Sequence, residues 1–354
     1  MQKMLILNPG STSTKIAVYE DTKLIFVENI EHRTDDLSCF AKVTDQYEFR
    51  RGLIYQTLEK YAVDINTLTA VISRGGMLPP IKAGAYEVNE AMVEYMRTTY
   101  NVHASNLGAV IARAISVERN IPAYIYDGVT VDELLPVAKI TGMPEMSRKG
   151  LGHNLNMRAM AMRYAEKHGK HYNDCSLIVA HLGGGITLSL HHKGRIIDMI
   201  SDEEGPFSPE RAGGLPMFDV IRLAFSGEHT QESMMKLVKS QAGIKAYFGT
   251  TDTREVEHRI EEGDEKVKLV YDALVLNIAK NIAKLAPTAN GDVEAIILTG
   301  GIANSEYIFD AITKRVSFIA PVLAYPGENE MEALALGGLR VLEGKEKAHI
   351  FTIA

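Results

Sequence analysis

The chain has 354 residues, of which 46% are hydrophobic and 23% are charged, and its formal net charge is -7. That length suits two domains of about 150 residues each, and the composition is typical of a folded protein. The acidic balance, without a basic face in the sequence, argues against nucleic acid as a partner. A small anion is still compatible with it, because a few local arginines are enough to hold one.

The cysteines and the apolar runs indicate the compartment. Cys39 and Cys175 lie far apart and form no CxxC motif, which predicts two free thiols in a reducing environment. The N-terminal apolar run is much shorter than the core of a signal peptide, which has about 7 to 15 residues. No stretch approaches the roughly 20 apolar residues of a membrane-spanning helix. We therefore expect a cytoplasmic protein with no membrane partner.

The first predicted elements are three strands at residues 4–7, 15–20 and 24–29, joined by polar turns. This pattern predicts an antiparallel meander. Residues 47–63 then carry apolar positions at helical spacing, and residues 68–73 form a buried strand that ends at Arg74 and two glycines.

Helical periodicity returns at residues 89–99 and 104–119, and a short strand closes on Asp127. A meander followed by alternating helices and strands is typical of an α/β domain.

The second half of the chain repeats the first. "SLIVAHLGGGITLSLHHKGRIIDMIS" aligns with "MLILNPGSTSTKIAVYEDTKLIFVENI" at an offset of 172 to 173 residues. Self-similarity of this length indicates two copies of one supersecondary unit. We predict two duplicated α/β domains, formed by residues 1–172 plus 335–354 and by residues 173–334, with an active-site cleft between the domains.

Three glycine turns are candidates for close approach of a ligand. The first, "NPGSTSTK", contains hydroxyl groups and a lysine, and by itself fits a plain hairpin turn as well as a phosphate-binding turn. It is not a Walker A loop, since a strand rather than a helix follows the lysine. Its repeat, "HLGGG", has more glycines than a turn requires, and "LTGGIANS" places two glycines between a strand and a helix.

Nine segments occur in the order found in one known family: "ILNPGSTSTK", "ISRGG", "YDGVTVDELLP", "RKGLGHN", "AHLGGG", "GPFSPERAGGLP", "GTTDTRE", "ILTGGIANSEY" and "ENEMEALA". Together they resemble the acetokinase family, which belongs to the superfamily of sugar kinases, actin and heat-shock ATPases. "HLGGG" and "RKGLGHN" replace the "HLGNG" and "GFHGTSH" of acetate kinases and are similar to the branch that phosphorylates butyrate. The resemblance implies ribonuclease-H-like domains of the actin-like ATPase type. It also implies ATP-dependent, reversible phosphorylation of a short-chain fatty acid, butyrate or isobutyrate, to an acyl phosphate.

The resemblance also implies roles for individual residues. Arg74 and Arg211 would hold the substrate carboxylate and the transferring phosphoryl group, Asp127 would organise charge, and His181 would donate to the phosphoryl group. His153 is displaced by one position from the family's histidine, so a helix-cap role is an open alternative for it. Residues near Mg²⁺ would be Asn8 and Glu330. The residues that would face the phosphates or the nucleotide are Ser11, Ser13, Lys15, Gly183, Gly184, Gly185, Asp252, Arg254, Gly300 and Gly301.

A carboxylate substrate requires positive groups such as the two arginines, and it does not require a strong base. A carboxylic acid with a pKa of about 4 to 5 is already ionised at pH 7, so the enzyme must bring two anions together rather than remove a proton. The expected cofactors are ATP/ADP and Mg²⁺, the expected substrates a small carboxylic acid and a nucleotide, and the expected assembly a homo-oligomer. Three alternatives stay open: an acetate or propionate kinase, a sugar or alcohol kinase, and a nucleotide-dependent chaperone or filament protein.

Overall fold

The structure, a computed structural model, describes residues 1–99, 103–327 and 329–353 and divides into two units. The N-terminal unit comprises Met1–Asp132 and Asn329–Ala354, and the C-terminal unit comprises Glu133–Glu328. The strands, in chain order, are β1 (Lys3–Pro9), β2 (Ser13–Glu20), β3 (Lys23–Glu31), β4 (Ala70–Arg74), β5 (Ala85–Glu87), β6 (Ala123–Tyr126), β7 (Ser176–Leu182), β8 (Ile186–His192), β9 (Arg195–Ile200), β10 (Ala295–Gly300), β11 (Val322–Pro326) and β12 (His349–Ile350).

The helices, in the same order, are α1 (Thr34–Ser38), α2 (Tyr47–Lys60), α3 (Glu90–Thr98), α4 (Asn106–Arg119), α5 (Pro136–Lys139), α6 (Asn154–Lys167), α7 (Met217–Ala224), α8 (Gln231–Ser240), α9 (Gly243–Phe248), α10 (Thr253–Glu261), α11 (Glu265–Leu285), α12 (Glu306–Val316) and α13 (Glu330–Leu342). None of the helices in the described ranges has both the length and the apolar character needed to cross a membrane.

The N-terminal unit is built on a sheet with strand order β12-β5-β6-β4-β1-β2-β3. The predicted meander forms β1, β2 and β3, which pair antiparallel, and β4 and β6 extend the sheet in parallel with β1. Leu5 and Leu7 point into the core on the α4 side of the sheet. On α13, a Cβ atom at Gly338 would lie 2.4 Å from Ile72, so the glycine permits this helix to pack closely on the sheet.

The C-terminal unit repeats this arrangement with strand order β11-β10-β7-β8-β9. The strands β7, β8 and β9 are antiparallel, and β10 and β11 continue in parallel with β7. The apolar stripe of α11, including Leu274 and Ile278, packs on one face of this sheet. Met157 and Met160 of α6 lie in the core on its other face. Each sheet is therefore covered by apolar helix faces, as expected for an α/β fold.

Local irregularities confirm the duplication. The register of the second hairpin strand shifts between Val18 and Tyr19 in β2 and between Leu190 and His191 in β8. The following turn contains a residue with positive φ in both copies, Asp21 at 50° and Lys193 at 51°. All of these pairs are separated by 172 residues, the offset predicted from the sequence.

The predicted domain bounds differ from the observed ones at both crossings, the two points where the chain passes from one unit to the other. The prediction assigned residues 133–172 to the N-terminal domain, whereas α6 buries its apolar side against β7 and β10 of the C-terminal unit. At the second crossing, the prediction divided the chain at residue 335, inside a single helix. Because α13 packs as a whole on the N-terminal sheet, the chain returns to that unit at Asn329.

Both cysteines are free thiols, as predicted, with Cys39 exposed and Cys175 buried. Burial raises the pKa of the Cys175 thiol above its ordinary value.

Candidate functional site

Three predicted site residues of the N-terminal unit meet at one carboxylate. Asn8 lies near the end of β1, Arg74 ends β4, and Glu330 begins α13. Asn8 Nδ2 donates to Glu330 Oε2 at 2.7 Å, and Arg74 Nη1 donates to the same oxygen at 3.2 Å. The side chains of Arg74 and Glu330 are 25% and 20% exposed, so the pair is partly screened from water but accessible to a ligand.

Asp127 lies at the same edge of the N-terminal sheet. Since β1, β4 and β6 run parallel, their carboxyl ends share that edge, and Asp127 follows β6 directly. The residue is 3% exposed and has a φ of 42°, which is uncommon for a residue other than glycine. Its Oδ1 accepts a hydrogen bond from the Gly84 N–H at 2.7 Å, and its own N–H donates to the Gly84 carbonyl at 3.1 Å. The backbone therefore fixes this carboxylate in place.

The first glycine turn connects β1 and β2. It is closed by a hydrogen bond from the Gly10 N–H to the Ser13 carbonyl at 2.8 Å, and Ser11 at its tip is exposed. Lys15 is the cross-strand partner of Asn8, so both side chains project from the same face of the sheet. The turn is thus a β-hairpin, and its lysine lies on the side of the Asn8 and Glu330 pair.

In the C-terminal unit the two predicted histidines are stacked on each other. The ring centroids of His153 and His181 are 4.0 Å apart with an interplanar angle of 14°. His153 precedes α6, and its Nδ1 is hydrogen-bonded to Thr187 Oγ1 at 2.9 Å. His181 in β7 is 3% exposed, and its Nδ1 is 3.0 Å from Asn156 Oδ1. The structure therefore brings the displaced histidine of "GLGH" to the histidine of "HLGGG".

Arg211 packs against the second glycine turn. A Cβ atom at Gly185 would lie 2.9 Å from Arg211 Cζ, so a larger residue at this position would displace the guanidinium. Arg211 Nη1 pairs with a carboxylate oxygen of Asp202, and its main-chain N–H donates to Ser208 Oγ at 3.1 Å. Burial lowers the pKa of Arg211 from its ordinary value, and its buried Nε has no hydrogen-bond partner.

One pocket of about 750 Å³ in the C-terminal unit is lined by five of the residues predicted to face the phosphates or the nucleotide. Its volume is in the usual range for small-molecule sites, about 300 to 1,000 Å³. Residues from both glycine segments and from the start of α10 line it; they include Gly183, Gly184, Asp252, Arg254, Gly301 and Ser305. Gly300 ends β10 directly before this wall with a φ of 88°, a conformation available to glycine but strained for other residues.

Asp252 and Arg254 form a local pair at the start of α10. Asp252 caps the helix by accepting the Arg254 N–H at 3.0 Å, and it also accepts Arg254 Nη2 at 2.7 Å. These hydrogen bonds from Arg254 lower the pKa of the Asp252 carboxyl to about 2. Arg254 is 89% exposed, so the pair both places a charge at the start of the helix and forms part of the pocket wall.

The residues at the N-terminal carboxylate fit Mg²⁺ by donor chemistry. Within the described part of the chain, no group of three or more His, Cys, Asp or Glu side chains is placed to hold a metal. Mg²⁺ commonly uses one or two protein carboxylates and completes its shell with water and phosphate oxygens. The Glu330 carboxylate and the amide oxygen of the adjacent Asn8 are oxygen donors of that kind.

Sequence reasoning missed several residues that support these side chains. Arg50 contacts the first glycine turn, and Glu257 accepts hydrogen bonds from Tyr271 and Ser305 at 2.6 Å in the pocket wall. Arg50 gave one signal that could have been used. It shares the buried stripe of α2 with Ile54, Thr57 and Leu58, a charged residue where the periodicity predicts an apolar one.

The sequence comparisons agree with the resemblance. The model of the acetokinase family matches residues 146–330. The chain is 47% identical to butyrate kinase 1 of Clostridium acetobutylicum over 98% of this chain and 99% of that protein. It is 45% identical to butyrate kinase 2 of the same organism over 98% of each chain.

Solved structures share the fold at low sequence identity. An acetate kinase from Porphyromonas gingivalis has a TM-score of 0.81 and 18% identity, covering 97% of this chain and 100% of that chain. A propionate kinase from Francisella tularensis has a TM-score of 0.74 and 17% identity, covering 95% and 99%. These similarities confirm the predicted two-domain α/β fold of the actin-like ATPase type.

Proposed function

The chain belongs to the acetokinase family, and from this membership we propose that it transfers the γ-phosphoryl group of ATP to a short-chain fatty acid, most effectively butyrate. The product is an acyl phosphate, and the reaction runs in both directions. The observation that carries the proposal is the pocket of about 750 Å³, whose wall contains the glycine and Asp252 segments expected to face a nucleotide.

The nucleotide would bind in this pocket with its phosphates toward the glycine turns. Gly184 is exposed at one side of the pocket, and Gly301 is exposed at another. Backbone N–H groups exposed in this way bind phosphate oxygens without a competing side chain. In this proposal the backbone at Gly184 replaces the asparagine side chain that acetate kinases have at this position.

The two arginines supply the recognition of a carboxylate or phosphoryl group. Arg74 is paired with the Glu330 carboxylate and Arg211 with the Asp202 carboxylate, so each guanidinium already binds the functional group that the substrate presents. A guanidinium holds such planar anions through two parallel N–H groups. Because the fatty acid is ionised at neutral pH, its oxygen attacks the γ-phosphorus directly while the bond to the ADP oxygen breaks.

The remaining residues would complete the charge stabilisation. His181 and its stacked neighbour His153 would donate hydrogen bonds to the phosphoryl oxygens, and Asp127 would organise the positive groups at the N-terminal edge. Mg²⁺ would be held by Glu330 and Asn8, with Glu330 acting through water. When bound, the metal neutralises charge that builds up on the phosphate oxygens.

A trapping assay tests the reaction and its substrate together. The purified chain is incubated with MgATP, hydroxylamine and one acid from a series running from acetate to valerate, plus isobutyrate, and the hydroxamate is quantified. We expect the largest kcat/KM with butyrate. One methylene changes discrimination by about 1 to 3 kcal/mol, so neighbouring acids should react more weakly rather than not at all.

Each control in this assay excludes one alternative. A maximum at acetate would overturn the choice of substrate, and no hydroxamate with any acid would overturn carboxylate phosphorylation. ADP formation with a hexose in place of the acid would instead indicate the sugar-kinase alternative. The expected homo-oligomer stays a prediction, which light scattering of the same preparation checks.

A further inference from the structure

Arg50 is a fully buried arginine whose hydrogen-bond partners are all uncharged. It lies on α2, has 0% exposure, and is among the largest fully buried side chains of the protein. Burying an unpaired charge is costly unless its hydrogen bonds are satisfied, so such a residue needs an explanation. The explanation lies in what its N–H groups contact.

The guanidinium contacts the carbonyl side of the first glycine turn. Arg50 Nη1 donates to the Gly10 carbonyl at 2.8 Å and to the Ser13 carbonyl at 3.0 Å, and Nη2 donates to the Ser11 carbonyl at 3.2 Å. In a planar trans peptide the C=O and the following N–H point in opposite directions. The carbonyls of Gly10 and Ser11 face Arg50, so the N–H groups of Ser11 and Thr12 point away from it.

A second layer fixes the guanidinium itself. Gln46 Oε1 accepts Arg50 Nε at 3.0 Å and Nη2 at 2.9 Å, which sets the plane of the group. Thr14 Oγ1 accepts Nη1 at 3.0 Å and is 2.9 Å from His32 Nε2. Since arginine can only donate, the Thr14 hydroxyl oxygen is the acceptor of its hydrogen bond with Arg50.

We propose that Arg50 is a positioning residue that orients the Gly10–Ser13 turn toward the phosphates of the nucleotide. Its guanidinium binds the carbonyl oxygens of the turn. Its positive charge therefore lies on the carbonyl side of these peptide units, opposite the side to which the N–H groups of Ser11 and Thr12 point. This inference rests on the proposed function, because it takes the turn to contact phosphate. The competing explanation is that Arg50 only stabilises a β-hairpin.

Two substitutions at Arg50 and a matched control separate these explanations. Arg50→Lys keeps the charge and loses the planar fork, and Arg50→Met loses both. Arg51→Met is the control, because Arg51 is the next residue of α2 and its Nη2 binds Glu118 at 3.0 Å on the protein surface. Urea unfolding of all three variants gives the fraction folded under assay conditions.

The kinetic pattern is the first readout. For Arg50→Lys we expect the KM for ATP to rise and kcat to fall, with kcat/KM for ATP lower by about tenfold or more, the effect of one or two lost hydrogen bonds. The KM for butyrate and the behaviour of Arg51→Met should stay near those of the unaltered chain. Unchanged ATP kinetics in folded Arg50→Lys, or equal losses for ATP and butyrate, would overturn the proposal.

A double-substitution cycle provides the second readout. If Arg50 acts through the turn, Arg50→Lys combined with Ser11→Ala should cost less than the product of the two separate effects. Fully multiplicative effects would mean that the two residues act independently. Should the Arg50 variants fail to fold, Thr14→Val removes one acceptor of Arg50 without changing side-chain volume greatly, and its KM for ATP is then the deciding measurement.

Binding of substrate fragments keeps this inference separate from the proposed function. If the unaltered chain makes no acyl phosphate, the proposed function fails, and calorimetry with tripolyphosphate and with adenosine still tests Arg50. We expect Arg50→Lys to weaken tripolyphosphate binding while adenosine binding is unchanged. Equal affinity of the variant and the unaltered chain for tripolyphosphate would overturn the positioning role.

Discussion

Replacing Gly300 by alanine tests whether this glycine is required by the fold rather than by a ligand. Gly300 ends β10 with a φ of 88° and a ψ of 175°, a backbone region that is essentially restricted to glycine. A Cβ atom there would lie 2.3 Å from the Leu182 carbonyl oxygen and 2.9 Å from the Leu182 nitrogen. Both atoms are backbone of β7, so no side-chain rotation can relieve the contact.

The expected loss of stability has two parts. Holding a residue other than glycine in this conformation costs about 1 to 3 kcal/mol, and forcing an atom into a packed region costs about 1 to 3 kcal/mol more. We therefore expect Gly300→Ala to lower the free energy of unfolding by about 2 to 6 kcal/mol. Because Leu182 directly precedes Gly183, relaxation of the contact should also displace the glycine turn in the pocket wall.

The adjacent glycine supplies the matched control. A Cβ atom at Gly301 meets nothing within 4 Å, and its φ is not positive. Gly301→Ala should therefore leave stability unchanged or raise it by about 0.4 to 1 kcal/mol through the unfolded chain. Gly301→Val places a larger side chain in the pocket and should raise the KM for ATP without affecting stability.

Urea unfolding of Gly300→Ala, Gly301→Ala and the unaltered chain measures the stability difference. Equal midpoints for the two alanine variants would refute the reasoning, because the two adjacent positions differ in backbone conformation and in available space. A stability loss at Gly301 but not at Gly300 would contradict the described geometry of this turn.

Three further predictions concern the N-terminal unit. Arg74→Ala should lower kcat/KM by roughly 30- to 5,000-fold, which corresponds to about 2 to 5 kcal/mol for a lost charged contact. The control Arg113→Ala removes a surface ion pair with Glu90 and should leave kcat/KM unchanged. Near-normal activity of Arg74→Ala would remove Arg74 from the site. Asn8→Ala should raise the Mg²⁺ concentration needed for half-maximal activity more than the KM for the acid, and the reverse order would leave Asn8 with an architectural role only. Burial and the Arg50 charge lower the pKa of His32 from 6.5 to about 4, so the unfolded chain takes up a proton in that range that the folded chain does not. The free energy of unfolding should consequently fall as the pH falls from about 6.5 to about 4, and a His32→Gln variant with the same slope in urea unfolding would show that another group is responsible.

Local patterns were sufficient to predict the elements and the duplication. The meander, the amphipathic α11 and the glycine turns each depend on residues that are close together in the chain. The 172-residue offset between the two copies reappears in the register shifts at Val18 and Leu190. The two units of the structure divide at other residues than the predicted domain bounds, for a related reason. Nothing local to residues 133–172 indicates which sheet α6 packs on, because that choice depends on apolar surface presented by strands far along the chain.

For the candidate site, too, some features follow from the sequence and others only from the tertiary structure. Sequence by itself determined the family and predicted the polar residues of the candidate site, including Asn8, Arg74 and Asp252, because motif order and spacing are properties of the chain. Only the tertiary structure decided which of them touch: Asn8 and Arg74 share the carboxylate of Glu330, more than 250 residues away, and the displaced His153 stacks on His181. Such pairings arise from strand order and helix packing. These depend on the burial of apolar surface over a whole unit, which no short segment specifies.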